Sequence, residues 1–272
     1  MNYTQLKNAI LQKAISGNLL PQNHSDTPAE ELLLSIQKEK QQLIKQKKLK
    51  PQKPLAPISE DEIPFPIPDT WRWVRLGEVV TMQAGKTPTR GNQLYWTNGK
   101  YNWITISDMV AGDIITSTKE KVSQIAVDKC FGQISPKGSL IMSFKLTIGR
   151  TSILGIDAYH NEAIVTINSF IDKNHIFRNY LLLTLPIIAN MGDTKDAIKG
   201  KTLNNKSMAT LPFPLPPLEE QKRIVEKLEE ILPVVEEYGK AQEELNLLNK
   251  TLPIKLKNAI LQKAISGNLL PQ

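Results

Sequence analysis

The side chains able to make or break bonds are few and scattered through this chain of 272 residues. Its three histidines, His24, His160 and His175, show no metal-ligand spacing. Cys130 is the only cysteine, so an intramolecular disulfide is impossible and a cysteine-based zinc site is not expected. Ser-His-Asp and Cys-His catalysis need such residues placed to cooperate. Gly200-Lys201-Thr202 is the nearest approach to a phosphate loop, but that loop needs a glycine five residues before its second glycine, and position 195 is Lys195. No G-x-G-x-x-G follows a strand. The Asn/Asp-Pro-Pro-aromatic tetrapeptide with which amino-methyltransferases grip an extruded base is also missing. The carboxylates Asp108, Asp113 and Glu162 are dispersed, and Asp108, at the end of a strand-like run, reads as a turn former. The expectation is a chain without catalytic residues, metal or cofactor.

The positive signal is polar, basic and carried by loops. Residues 84–100, AGKTPTRGNQLYWTNGK, combine Lys86, Arg90 and Lys100 with Thr87, Thr89, Asn92, Gln93 and Asn98, and place Tyr95 and Trp96 among them. Arg and Lys can read guanine edges, Asn and Gln can read adenine, and all of them can hold phosphates. Two more segments add the same chemistry: Lys145 with Arg150, and Lys199, Lys201, Asn204, Asn205 and Lys206. Any one of these could be an ordinary surface loop. Three of them in one region point to a DNA-facing surface.

The elements that must position these loops are of two kinds. From about 71 to 213 the pattern is mixed and strand-rich: YNWITISDM, SLIMSF and EAIVTINSF have strand composition with Gly- or Pro-containing breaks between them. A helix is predicted around 176–190, with Pro186 complicating its second half. Strand and helix do not alternate regularly, so a doubly wound parallel sheet is not expected. Residues 4–17 and 28–50 read as helices. Six prolines between 51 and 70 predict an extended linker without regular elements.

After Pro217 the pattern becomes helical, with Val225, Leu228, Leu232 and Val235 at coiled-coil spacing. The seam resumes at Ala241, Leu245, Leu248 and Leu252 in a slipped register, which predicts a kink or local unwinding near Pro233 and Gly239. Fully helical, residues 218–270 would extend about 80 Å. Such a seam requires cover, either from a second copy of the chain or from its own globular part. The fold class expected is α+β: one strand-rich domain plus a long coiled-coil-forming helical region.

Charge is segregated along the chain. The formal net charge is +7, with residues 36–55 at +6, residues 70–210 at +7 and residues 211–250 at −4. The lysine run at 36–55 also fits a solvated helix. No apolar run approaches the ~18–20 residues of a membrane span, and no signal peptide is visible, so a cytoplasmic protein without a membrane partner is expected. The two ends of the chain carry an identical stretch: residues 6–22 and 256–272 both read LKNAILQKAISGNLLPQ. Two copies at the two ends are not a solenoid; they make the chain look like one unit of a two-unit pattern.

Taken together, these segments resemble a family. PFPLPPLEEQKRIV (212–225), IPDTWRWVRLGEV (67–79) and LKNAILQKAISGNLL are similar to segments of type I restriction–modification specificity subunits, and the likeness extends over nearly the whole chain. The resemblance implies a target-recognition domain that reads half of a split DNA site, antiparallel conserved helices, methyltransferase and restriction subunits as partners, and no catalysis by the chain itself. A full-length subunit has two recognition domains, whereas this chain has one, implying a half-length form, natural or cut from a longer protein. Its expected divisions are a repeat helix at 1–22, a basic helix and linker at 23–69, a recognition domain at 70–213 and a helical dimerisation region at 214–272. Double-stranded DNA is expected at Lys86, Thr87, Arg90, Lys100, Lys145, Arg150, Lys199, Lys201, Asn204 and Lys206. A homodimer seam is expected at Val225, Leu228, Leu232, Val235, Leu245, Leu248 and Leu252. Two rivals remain from the residues alone: a coiled-coil interaction protein without DNA specificity, and a fragment of a nuclease or methyltransferase.

Overall fold

The computed structural model describes residues 2–145, 147–191 and 205–266. Lys199, Lys201 and Asn204 lie outside the described residues. The chain divides into two units, one formed by Leu11–Glu226 and the other by Met1–Ile10 with Lys227–Gln272. No described helix is long and apolar enough to cross a membrane.

The larger unit takes up the basic loops. It begins with the end of helix α1 (Tyr3–Ile15) and then helix α2 (Ala29–Lys45). After the proline-rich stretch come β1 (Arg72–Arg75), the single-turn α3 (Leu76–Val79), β2 (Val80–Ala84), β3 (Tyr101–Ile104), β4 (Ile114–Ile115), β5 (Glu120–Val122) and α4 (Gln124–Cys130). Next are β6 (Leu140–Ser143), β7 (Thr151–Leu154), β8 (Tyr159–His160), β9 (Ile164–Ser169), α5 (Ile176–Met191), α6 (Asn205–Ala209), β10 (Pro212–Leu215) and the start of α7 (Leu218–Ile265). A five-stranded sheet has the order β2-β9-β6-β7-β4, a three-stranded sheet the order β5-β3-β8, and β1 pairs with β10 alone. The pairing is mixed: β3–β8 and β4–β7 are parallel, the others antiparallel.

Composition explains these assignments. β6 is central and buried along its whole length, so LIMS reads as an apolar run rather than an alternation. β10, with Pro212 and Pro214, pairs with one strand only, where missing N–H donors are tolerated. Ile104, Met109, Ile115, Ile141, Leu154, Ala158 and Ile164 form one apolar cluster. Trp103, Val122, Ala126 and Tyr159 form a second, with Tyr95 and Trp96 packed against it.

The linker departs from its expected lack of structure at one point. A 3-10 turn, Glu60–Glu62, is closed by a capping box with Ser59. The buried Arg75 side chain holds it. Its guanidinium donates to both Glu62 oxygens at 2.7 and 2.8 Å and to the carbonyls of Ala56, Pro57 and Thr210. The first repeat copy is also anchored in this unit. A Cβ on Gly17 (φ +72°) would lie 2.4 Å from Pro68 and 3.4 Å from Trp71, so only glycine fits there. Gln22 and the Trp71 indole both donate to Glu220, each at 2.7 Å.

In the smaller unit the start of α1 lies antiparallel to α7. Tyr3 N donates to Gln242 Oε1 at 3.1 Å, and Lys7 pairs with Glu236 at 3.5 Å. Of the kink or local unwinding expected near Pro233 and Gly239, the unwinding is corrected: α7 is one continuous helix through Pro233, Gly239 and Pro253. A Cβ on Gly239 would come within 2.6 Å of the Tyr3 ring, so the glycine makes room for an aromatic seat and not for a break. The expected seam also divides. Val225, Leu228 and Val235 are buried within this single chain and Leu232 is half-buried, whereas Leu245, Leu248 and Leu252 are more than half exposed. The identical repeat copies differ likewise: Ile15 is fully buried, and its counterpart Ile265 is 87% exposed.

Candidate nucleic-acid interface

The loop between β2 and β3 carries the first basic cluster. It leaves β2 where Gly85 meets β8 so closely that a Cβ would lie 2.0 Å from the His160 carbonyl. Lys86 N donates to that carbonyl at 2.9 Å, and the Trp103 indole donates to the Lys86 carbonyl at 3.1 Å. The backbone of Lys86 is thus pinned while its side chain is exposed. Thr87 donates its hydroxyl to Glu162. That bond, with the Lys145 charge as a lesser cause, holds the Glu162 carboxyl below its ordinary range. Lys86, Thr87, Glu162 and Lys145 are therefore neighbours, although up to 76 positions separate them in the sequence.

Arg150 joins this group from the turn before β7. Its guanidinium reaches the Ile106 carbonyl at 3.4 Å. Residues 105–108 form a capped 3-10 turn in which Asp108 accepts from the Thr105 backbone N–H and hydroxyl. Asp108 is thus a turn former, as its position suggested. It also accepts from Lys119 N at 3.1 Å, which ties the exposed Lys119 to the 105–108 turn. Sequence reading missed Lys119, because only the pairing of β5 with β3 places it there.

Arg90 is exposed but engaged: it forms a two-pronged pair with Glu120, and its guanidinium carbon lies over the rings of Trp96 and Trp103. Lys100 is placed apart. It precedes Tyr101 and bonds through its backbone to Val122, at the opposite end of β3 from Ile104 and the 105–108 turn. Four residues of strand put about 13 Å between those ends. The structure thus links Lys86, Thr87 and Lys145 through Glu162, sets Arg150 in the turn that carries Lys145, ties Lys119 to the 105–108 turn, and leaves Lys100 at the other end of β3.

Beneath the cluster lies a buried polar network. Thr166 Oγ1 is 2.6 Å from both His160 Nε2 and Ser135 Oγ. Burial lowers the His160 pKa to about 4, so the ring is neutral at ordinary pH. The site as a whole can offer cations and hydroxyls to an anionic polymer from a fixed frame. Among the described residues no group of three or more His, Cys, Asp or Glu could hold a metal ion.

Residues 68–245 match the family profile described as the type I restriction modification DNA specificity domain. The chain belongs to this family. A curated relative, the type I restriction enzyme EcoAI specificity subunit of Escherichia coli, is 30% identical over 241 residues, covering 84% of this chain and 39% of the relative. The EcoEI specificity subunit of Escherichia coli is 50% identical over 84 residues, 30% of this chain and 14% of its own. A solved structure on the complex assembly and conformational transition of the type I R-M system contains a chain of the same fold. That likeness covers 98% of this chain and 58% of the other, with 20% identity and a TM-score of 0.55. This specificity-domain chain therefore spans less than half the length of the curated relatives it matches. Its α+β architecture, a strand-rich domain with a long C-terminal helix, is that of the family.

Proposed function

We propose that the chain is a non-catalytic DNA-recognition subunit of a type I restriction–modification complex. The observation that carries the reading is the linkage of Lys86 and Thr87 on one loop to Lys145 on another through Glu162, with Arg150 in the same turn as Lys145, in a domain of the specificity family. Charges so placed neutralise phosphates and set register, and neighbouring polar groups read base edges. The chain reads one half of a split double-stranded site, requires no cofactor of its own, and acts in the cytoplasm. Methyltransferase subunits dock on it, and restriction subunits join that core. Two copies pair antiparallel through the exposed part of α7, which supplies two identical recognition domains and hence a palindromic split target.

The test is to reconstitute the chain with its methyltransferase and map the adenines it modifies. The expected product is modification at a palindromic split sequence. Modification that follows no such site would remove the dimer reading, and methyl transfer or cleavage by the purified chain alone would remove the non-catalytic one.

A further inference from the structure

Arg90 is a natural choice for a DNA contact, yet its guanidinium is already held. Nη1 and Nη2 donate to the two oxygens of Glu120 at 2.5 and 2.9 Å. The group also lies 4.1 Å from the Trp96 ring centroid and 4.8 Å from that of Trp103. The two indoles stand edge to face, their centroids 5.1 Å apart. Each indole in turn holds a carbonyl of the loop: Trp96 Nε1 donates to Thr89 at 3.2 Å, and Trp103 Nε1 to Lys86 at 3.1 Å. Glu120 and Trp103 are directly paired across β5 and β3. Arg90 thus fastens the 85–96 loop to that strand pair, by its fork on Glu120 and by its cation over the two indoles.

We propose that Arg90 is a positioning residue, which sets the loop that presents Lys86 and Thr87 and does not itself bind phosphate or base. The inference rests on the reading of that loop as DNA-facing. It accounts for Glu120, a carboxylate that would repel phosphates on this side of the domain unless Arg90 neutralised it. The fork is also what the geometry needs, since a lysine ammonium cannot match both carboxylate oxygens in this two-pronged way.

The measurement is binding of the whole chain to a mixed-sequence duplex of about 40 base pairs between about 50 and 200 mM salt, with hydrogen exchange followed over residues 85–96. Glu120→Gln removes a negative charge, so simple electrostatics predicts tighter binding; positioning predicts binding several-fold weaker. Arg90→Lys is expected to weaken binding similarly. Both should leave the slope of log K against log salt unchanged and speed exchange over 85–96. Lys86→Ala should reduce that slope by about one without affecting exchange. Glu120→Gln binding as tightly as the native chain, or Arg90→Ala reducing the slope by about one, would overturn the proposal. If Lys86→Ala changes neither affinity nor slope while Glu120→Gln still loosens the loop, the fastening role stands and the DNA-facing reading beneath it falls.

Discussion

The Thr151 hydroxyl donates to the Leu182 carbonyl at 2.7 Å, and that carbonyl is the one left without its helical partner by Pro186, four residues on. The proline would otherwise leave an unpaired acceptor in a helix packed on the sheet. β7 supplies the missing donor, so α5 continues past Pro186 to Met191. Thr151→Val keeps the side-chain shape and removes the donor. The expected cost is about 1–3 kcal/mol in urea unfolding. In a Pro186→Ala background, where Leu182 regains a backbone N–H, the same change should cost clearly less. Equal costs in both backgrounds would show that the bond does not compensate the proline.

His160 makes stability depend on pH over a defined window. Its buried ring is neutral in the folded chain, with a pKa of about 4 against 6.5 for the free side chain. On unfolding below pH 6.5 it takes up a proton that the folded state refuses, so stability falls as pH drops from about 6.5 towards 4. Integrated over the window, the shift corresponds to roughly 3 kcal/mol. Denaturation midpoints of the native chain and His160→Asn, measured at intervals between pH 7 and 4, should converge as the medium becomes acid. A constant gap would mean that His160 is already charged or already wet.

Glu62 acts in a lower window and for the opposite chemical reason. Hydrogen bonds from Arg75, and then from Ser59, lower its pKa from 4.5 to about 2. The folded state favours the carboxylate, so its stabilisation is present above about pH 4.5 and is lost as pH falls through about 2. The Glu62 side chain is 37% exposed, and solvent screening reduces its contribution to about 1 kcal/mol. Glu62→Gln should therefore unfold more readily than the native chain at pH 6 and about equally at pH 2. Arg75→Ala should cost more, about 3 kcal/mol, because Arg75 is buried and also serves three carbonyls.

Much of this fold was legible from local pattern. Strand composition located β3, β6 and β9, and helical spacing located α1, α2, α5 and α7. The site was legible in its residue types and less so in its grouping. Lys86, Thr87, Lys145 and Arg150 are named by charge and loop position, but only the β9–β6 and β2–β9 pairings bring residues 86, 145 and 162 together. Lys119 and Glu120 gain their places from the β3–β5 register, which no periodicity encodes. The helical seam was read as one surface because leucine spacing does not say what covers it. Tyr3 seated on Gly239, 236 positions away in the chain, is a tertiary fact of that kind.

That division of the seam decides which substitutions test the homodimer. Leu228 is fully buried within its own chain, so charging it would damage the fold and say little about association. Leu245 and Leu248 are 56% and 54% exposed and belong to a stripe that continues through Leu252 and Leu256. Full burial of a leucine contributes about 2 kcal/mol, so burying the exposed half of each contributes about 1 kcal/mol, and a symmetric dimer would bury both residues twice, for about 4 kcal/mol. That is about half the standard free energy of a micromolar dimer, about 8.2 kcal/mol. Leu245→Glu with Leu248→Glu should therefore convert a dimer to a monomer in sedimentation equilibrium at micromolar concentration, with the helix signal in circular dichroism unchanged. A native chain that sediments as a monomer under the same conditions, or a doubly charged variant that remains dimeric, would place the partner of α7 elsewhere.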